Sequence, residues 1–208
     1  ALPISFILGR TMSFLRYNDL IYTPAIRSYM LGEAPPAFDL LYWNGDGANL
    51  PGRMTLQYLR GLCQRNEFAG DGFELLGHTL KLSDVDLPFM AVTCETDHIA
   101  PWKDCFRGMG QTGSDDRTFI VSQSGHIAGI VNPPSKKKYG HYTNEDLSLP
   151  YQDWLEGAEF HSGSWWPRWG EWLKNRAGKQ VDARNPGDNG QEIICDAPGT
   201  YVAKKANR

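Results

Sequence analysis

The chain lacks the features that would mark it for a membrane, a metal or a nucleic acid. No apolar run approaches the roughly 18 residues of a membrane span, and the opening ALPISFIL has no basic segment of the kind that begins a secretory signal. The four cysteines, Cys63, Cys94, Cys105 and Cys195, form no C-x-x-C pair and no Cys/His pattern, so neither a zinc site nor a disulfide framework is expected. Free thiols suit a reducing, cytoplasmic setting. A basic excess is missing too. The formal net charge of -3 argues against a nucleic-acid partner, because counterion release demands a clustered basic surface. Lys136, Lys137 and Lys138 are the one compact basic run, and beside Pro133 and Pro134 they read as a solvated loop, with a phosphate or CoA contact as the alternative. The chain begins at Ala1 rather than Met, which fits a processed chain or a piece of something longer.

What is present is enough for a core. With 208 residues, 41% of them hydrophobic and 22% charged, the chain fits one domain, or one with an insertion. From Ser13 to Leu31 the apolar residues are loosely spaced and interrupted at Asn18-Asp19 and Pro24, which predicts short helices joined by turns. Phe38 to Trp43 reads as a short strand or a buried helical turn, closed by the turn signal Asn44-Gly45-Asp46-Gly47. Met54, Leu56, Leu59, Leu62 and Cys63 predict a helix over Gly52 to Asn66, packed on one face.

The middle of the chain alternates strand and helix signals. Pro88 to Cys94 is a continuous apolar run of strand length, as in a strand buried on both faces of a parallel sheet. A polar loop from Glu95 to Ala100 follows, then Pro101 opens a helix to about Met109, and Arg117 to Ser122 gives a second β-branched run. This repeat predicts an α/β fold, whose ligands sit outside the carboxyl ends of the strands.

Both loops at these strand ends carry a residue able to move or hold a proton. Asp97 follows the first strand and His126 the second, the acid-then-histidine order of α/β-hydrolases, in which a carboxylate fixes the imidazole tautomer. The alternatives are ordinary: Glu95 as the acid, Asp97 as a cap for the segment after it, His126 as loop packing. A nucleophile is wanting. No glycine-flanked serine or cysteine of the form G-x-[SC]-x-G precedes Asp97, and Ser13, Ser28, Cys63 and Ser83 all lack the flanking glycines. Either the site is not hydrolase-like, or the nucleophile lies on a part this chain lacks.

FLRYNDL, FDLLYWNGDGANLPG, ETDHIAPW, SGHIAGIVNPP and GSWWPRWGEWL, in that order from about Phe14 to Lys174, resemble the carboxyl-terminal part of polyhydroxyalkanoate synthases, the bacterial enzymes that polymerise 3-hydroxyacyl-CoA. HIAGIVNPP is closer to the short-chain, class I form. The resemblance implies an α/β-hydrolase core with a helical cap and a catalytic cysteine, aspartate and histidine. The aspartate falls on Asp97, the histidine on His126, and the cysteine lies in a lipase-like box that precedes Ala1. Residues 1–50 would then end the cap, 51–177 form the carboxyl-terminal part of the core, and 178–208 a surface tail whose Asn, Gly, Asp, Lys and Pro composition agrees. One departure is visible: Ala48 stands where the family's motif usually has threonine.

In that reading a thiol, with an ordinary pKa of about 8.5, needs a histidine base to attack a CoA thioester, and the 3-hydroxyl of the next unit needs a second deprotonation, by His126 with Asp97 orienting it or by Asp97 itself. His98 would line the substrate path, or else pack behind the site. The CoA thioester is a substrate, and no cofactor is implied. The implied partners are 3-hydroxyacyl-CoA, the growing polyester granule and a second subunit in a homodimer, at a cytoplasmic granule surface. Trp165, Trp166, Trp169 and Trp172 share a helix face that packs on the core, or in part touches polyester or a partner subunit. Two other readings keep the fold: an esterase or depolymerase acting on a soluble ester, and a binding module without a nucleophile.

Overall fold

The computed structural model of the chain describes residues 14, 17–34 and 50–204, which fall into two units, Ala1–Arg60 with Ala183–Arg208, and Gly61–Asp182. In the first unit Asn18–Tyr22, Thr23–Ala25 and Ile26–Met30 follow one another as uninterrupted helical winding, the outer two segments wound as wide π turns. Short helices broken at Pro24 were expected, but Pro24 lies inside the run. Its missing N–H does no damage there, because the wide turns are closed by other donors, Thr23 N–H to the Asn18 carbonyl and Leu31 N–H to that of Ile26.

Helix α1, Gly52–Tyr58, continues as π turns over Leu59–Gln64 and stops at Asn66, whose φ of 50° no helix continues. The expected helix is there, but its packing is not as expected: Met54, Leu56 and Leu59 are exposed, and Thr55 and Gly61 are the buried positions. The strand and turn expected between Phe38 and Gly47 lie outside the described residues. From 183 to 204 the chain is exposed, with only the short turns Asp188–Gly190 and Tyr201–Ala203.

The second unit carries the sheet. Strands β1 (Phe73–Leu75) and β2 (His78–Leu80) form a separate antiparallel hairpin. Strands β3 (Phe89–Cys94), β4 (Arg117–Ser122), β5 (His141–Thr143) and β6 (Glu159–His161) line up in chain order. β3 and β4 are parallel, paired from Phe89–Arg117 to Cys94–Ser122, whereas β5 and β6 are antiparallel additions. The α/β class is therefore as read, with a mixed sheet in place of a wholly parallel one.

Helix α2, Trp102–Met109, crosses between β3 and β4. Pro101 precedes it, Asp104 sits in its first turn and Arg107 in its last, each suited to the helix dipole. Trp102, Phe106 and Met109 recur every three or four positions and face Phe119 and Val121 of β4 and Trp154 of helix α3, Tyr151–Glu156. Trp154 is fully buried, and its indole N–H donates to the Asn144 carbonyl while the Asn144 amide donates back to the Trp154 carbonyl, at 3.1 and 3.0 Å. At roughly 25 cal/mol per Å² over about 200 Å², a ring buried in this way stabilises the unit by about 5 kcal/mol.

β3 departs from expectation. Thr93 and Cys94 are buried, but Phe89 to Val92 are only half-buried. Among the described residues β3 pairs with β4 alone, so one edge and part of its apolar surface are uncovered.

Candidate active site

The ladder between β3 and β4 runs on past the strands themselves. Glu95 N–H donates to the Ser122 carbonyl at 2.8 Å and Thr96 N–H to that of Ser124 at 3.1 Å, which draws the two following loops together. Ser124 takes a φ of 78°, a left-handed backbone that a non-glycine residue holds only when its surroundings impose it. It sets up the turn into Gly125 and His126.

Asp97 and His126, 29 positions apart in sequence, meet across this gap: the His126 Nδ1 to Asp97 Oδ2 distance is 2.8 Å. The other Asp97 oxygen accepts the amides of Ile99 at 2.8 Å and Ala100 at 2.9 Å. Asp97 thus makes both contacts the sequence allowed it, a cap and a histidine bond. It caps the turn after β3 with one oxygen and reaches histidine with the other.

The environment sets the charge of the pair. Burial by itself raises the Asp97 pKa, but the Ala100 amide, His126 and the Ile99 amide together outweigh it and hold the carboxyl below its ordinary value. An ionised Asp97 accepts only, so Nδ1 of His126 donates to it and Nε2 is the ring nitrogen left outside the pair. The Asp97 side chain is 7% exposed and that of His126 45%, which leaves the imidazole open on its outer side. Glu95 and His98 are both exposed, so Glu95 is not the acid of the pair and His98 is not packed behind it.

No family model matches the chain. It is 41% identical, over 96% of its length, to the poly(3-hydroxyalkanoate) polymerase subunit PhaC of Cupriavidus necator, and spans 34% of that protein. It is 40% identical over 96% of its length to the poly(3-hydroxyalkanoate) polymerase of Methylorubrum extorquens, spanning 33% of it, and 38% identical over 95% to the PhaC subunit of Rhizobium etli, spanning 31%. The chain belongs to the poly(3-hydroxyalkanoate) polymerase family. It covers about a third of the length of these relatives.

The four cysteines are free thiols. Cys94 is fully buried at the end of β3, and burial, followed by the nearby Asp97 charge, pushes its pKa up to about 11. Burial, with Asp97 and Asp104, also raises that of half-buried Cys105. Lys136, Lys137 and Lys138 are exposed, as a solvated loop requires. Among the described residues no helix is long and apolar enough to cross a membrane, and no group of three or more His, Cys, Asp or Glu side chains could hold a metal ion.

The tryptophans are divided. Trp165 is buried just before helix α4, Trp166–Lys174, while Trp169 is 42% exposed. Sequence reading treated these rings as packing surface and missed their donors. The Trp165 and Trp166 indoles donate to the carbonyls of Gly129 and Ile130 at 3.1 and 3.0 Å, within the His126 loop. A buried indole N–H needs an acceptor, and that need was the available signal.

Proposed function

We propose that the chain is the carboxyl-terminal part of a class I synthase with an α/β-hydrolase core, and that Asp97 and His126 are its proton-transfer pair in the polymerisation of short-chain (R)-3-hydroxyacyl-CoA. The observation that carries this reading is the 2.8 Å bond between a carboxylate and an imidazole placed at the carboxyl ends of neighbouring parallel strands. Such a pair acts on a nucleophile supplied from elsewhere in the polymerase, a cysteine in the family pattern. Nε2 of His126 takes the thiol proton, the thiolate attacks the thioester carbonyl, and the departing CoA sulfur recovers a proton from the imidazolium. In elongation Nε2 takes the proton of a 3-hydroxyl, whose oxygen attacks the next thioester carbonyl; the C–S bond breaks, and the departing sulfur takes the proton back from the imidazolium. Asp97 stays ionised throughout and stabilises the imidazolium. The work is done at a cytoplasmic granule surface, by a homodimer, with the exposed His98 beside the substrate path.

The test is made in the full-length polymerase. His126→Ala and Asp97→Ala should each lower polymer formation by about 10²–10⁴-fold, the usual worth of a proton-transfer group, with thermal unfolding close to that of the parent. Turnover near the parent rate in His126→Ala would end the assignment.

A further inference from the structure

His126 is held by little of its own. Its ring has Asp97 as its one hydrogen-bond partner among the described residues, and 45% of its side chain is exposed, so its aim depends on the backbone that carries it. That backbone is a turn over residues 126–130, closed by Gly129 N–H to the Gly125 carbonyl at 3.1 Å and by Ile130 and Val131 N–H to that of Ile127 at 3.1 and 2.8 Å. A single turn leaves carbonyls at its end that need outside donors.

These donors are in place. The Gly129 carbonyl accepts the Ser122 hydroxyl at 2.9 Å and the Trp165 indole N–H at 3.1 Å. That of Ile130 accepts Asn132 N–H and the Trp166 indole N–H, both at 3.0 Å. The turn also packs against the end of β3, the strand that leads to Asp97, and against the residue after β4: a Cβ at Gly129 would lie 2.6 Å from the Cys94 sulfur and 2.6 Å from the Gln123 carbonyl. The Trp165 ring is fixed in turn by Trp169 and Trp166, with ring centres 5.9 and 6.4 Å away.

We propose that Trp165 and Trp166 are positioning residues, whose two indole N–H groups press the His126 turn onto the end of β3 and so set the approach of the imidazole to Asp97. The inference rests on the pair being the polymerase's proton-transfer site. In the buried setting of Trp165 the indole–carbonyl bond works against a low dielectric, where fixed donors hold geometry well. Losing both donors leaves Ser122 and the Asn132 amide on the same carbonyls, so the turn persists but its register loosens. A displacement of about 1 Å at the reacting group lowers the rate by as much as about 10²-fold.

The N–H groups are tested apart from the rings. In the full-length polymerase, Trp165 and Trp166 are replaced together by β-(3-benzothienyl)alanine, which keeps the bicyclic shape and has no N–H, and separately by 5-fluorotryptophan, which keeps the donor. The benzothienyl protein should lose about 10- to 100-fold in kcat with little change in KM, and amide exchange should rise at residues 126–131 while the melting temperature holds. The fluorotryptophan protein should retain parent activity. Equal losses in the two proteins would make the rings packing groups only, and full activity in the benzothienyl protein would also overturn the proposal. His126→Ala in the same assay separates the two readings. If His126→Ala is inactive while the benzothienyl protein is normal, the clamp alone fails; if His126→Ala is active, the proton-transfer reading beneath it fails.

Discussion

At His141 the charge of one side chain is tied to the fold. The ring is 5% exposed on β5, its Nδ1–H donates to the Gly163 carbonyl at 3.0 Å, and it stacks on His161 at 5.1 Å, with Arg168 bonded to that second ring. Burial lowers its pKa most, the Gly163 bond works the other way, and the electrostatic influence of His161 and Arg168 adds to the lowering. The folded protein therefore keeps His141 neutral where the unfolded chain, with a His value of about 6.5, takes up a proton. Stability is full above that value and falls as pH drops from it toward the folded pKa. His141→Asn places an amide donor near Nδ1 and has nothing to titrate. Urea unfolding between pH 7.5 and 5 should show a shallower loss in the variant, and parallel curves would mean that the dependence comes from another group. Asp97 and His126 were legible as neighbours because each follows a short apolar run of strand length, which places both at the same end of a sheet. His141 was not, since its meaning comes from His161, a partner 20 positions on that the β5–β6 register puts beside it.

At the scale of elements, the same contrast separates the strands. β3, α2 and β4 were read within a residue or two of their ends because a continuous apolar run and a proline start are local signals. β1, β2, β5 and β6 are three-residue strands of mixed polarity, which only their cross-strand partners define. The β1–β2 hairpin also conceals its turn. Leu76 and Gly77 both have positive φ, 52° and 82°, as a two-residue type I′ turn needs, but the favoured Asn-Gly has become Leu-Gly. A left-handed conformation costs a leucine about 1–2 kcal/mol, and at 92% exposure its side chain recovers almost none of that by packing. Leu76→Asn should stabilise the protein by about 1 kcal/mol in denaturant unfolding, with an unchanged m-value. A less stable variant would show that the leucine is engaged by a surface these residues do not include.

At the scale of the whole molecule, the question is what a chain that spans about a third of its relatives' length can do by itself. An acyl-enzyme needs a thiolate within reach of His126. Cys94, with its pKa pushed up to about 11, is held as the thiol near neutral pH, and it has no exposed surface to offer a thioester. Cys105 is raised in the same direction by burial and two carboxylates. Cys63 is exposed on the π turns after α1, and Cys195 is exposed near the short turn Tyr201–Ala203. An exposed thiol that no base activates reacts slowly. The 208-residue chain, incubated with (R)-3-hydroxybutyryl-CoA and weighed intact by mass spectrometry, should therefore show no stoichiometric acyl adduct and make no polymer. His126→Ala should leave any trace of modification on Cys63 and Cys195 unchanged. A single full adduct that disappears in His126→Ala would place a working nucleophile among these four cysteines, and the proposal that the attacking thiol comes from elsewhere would fail.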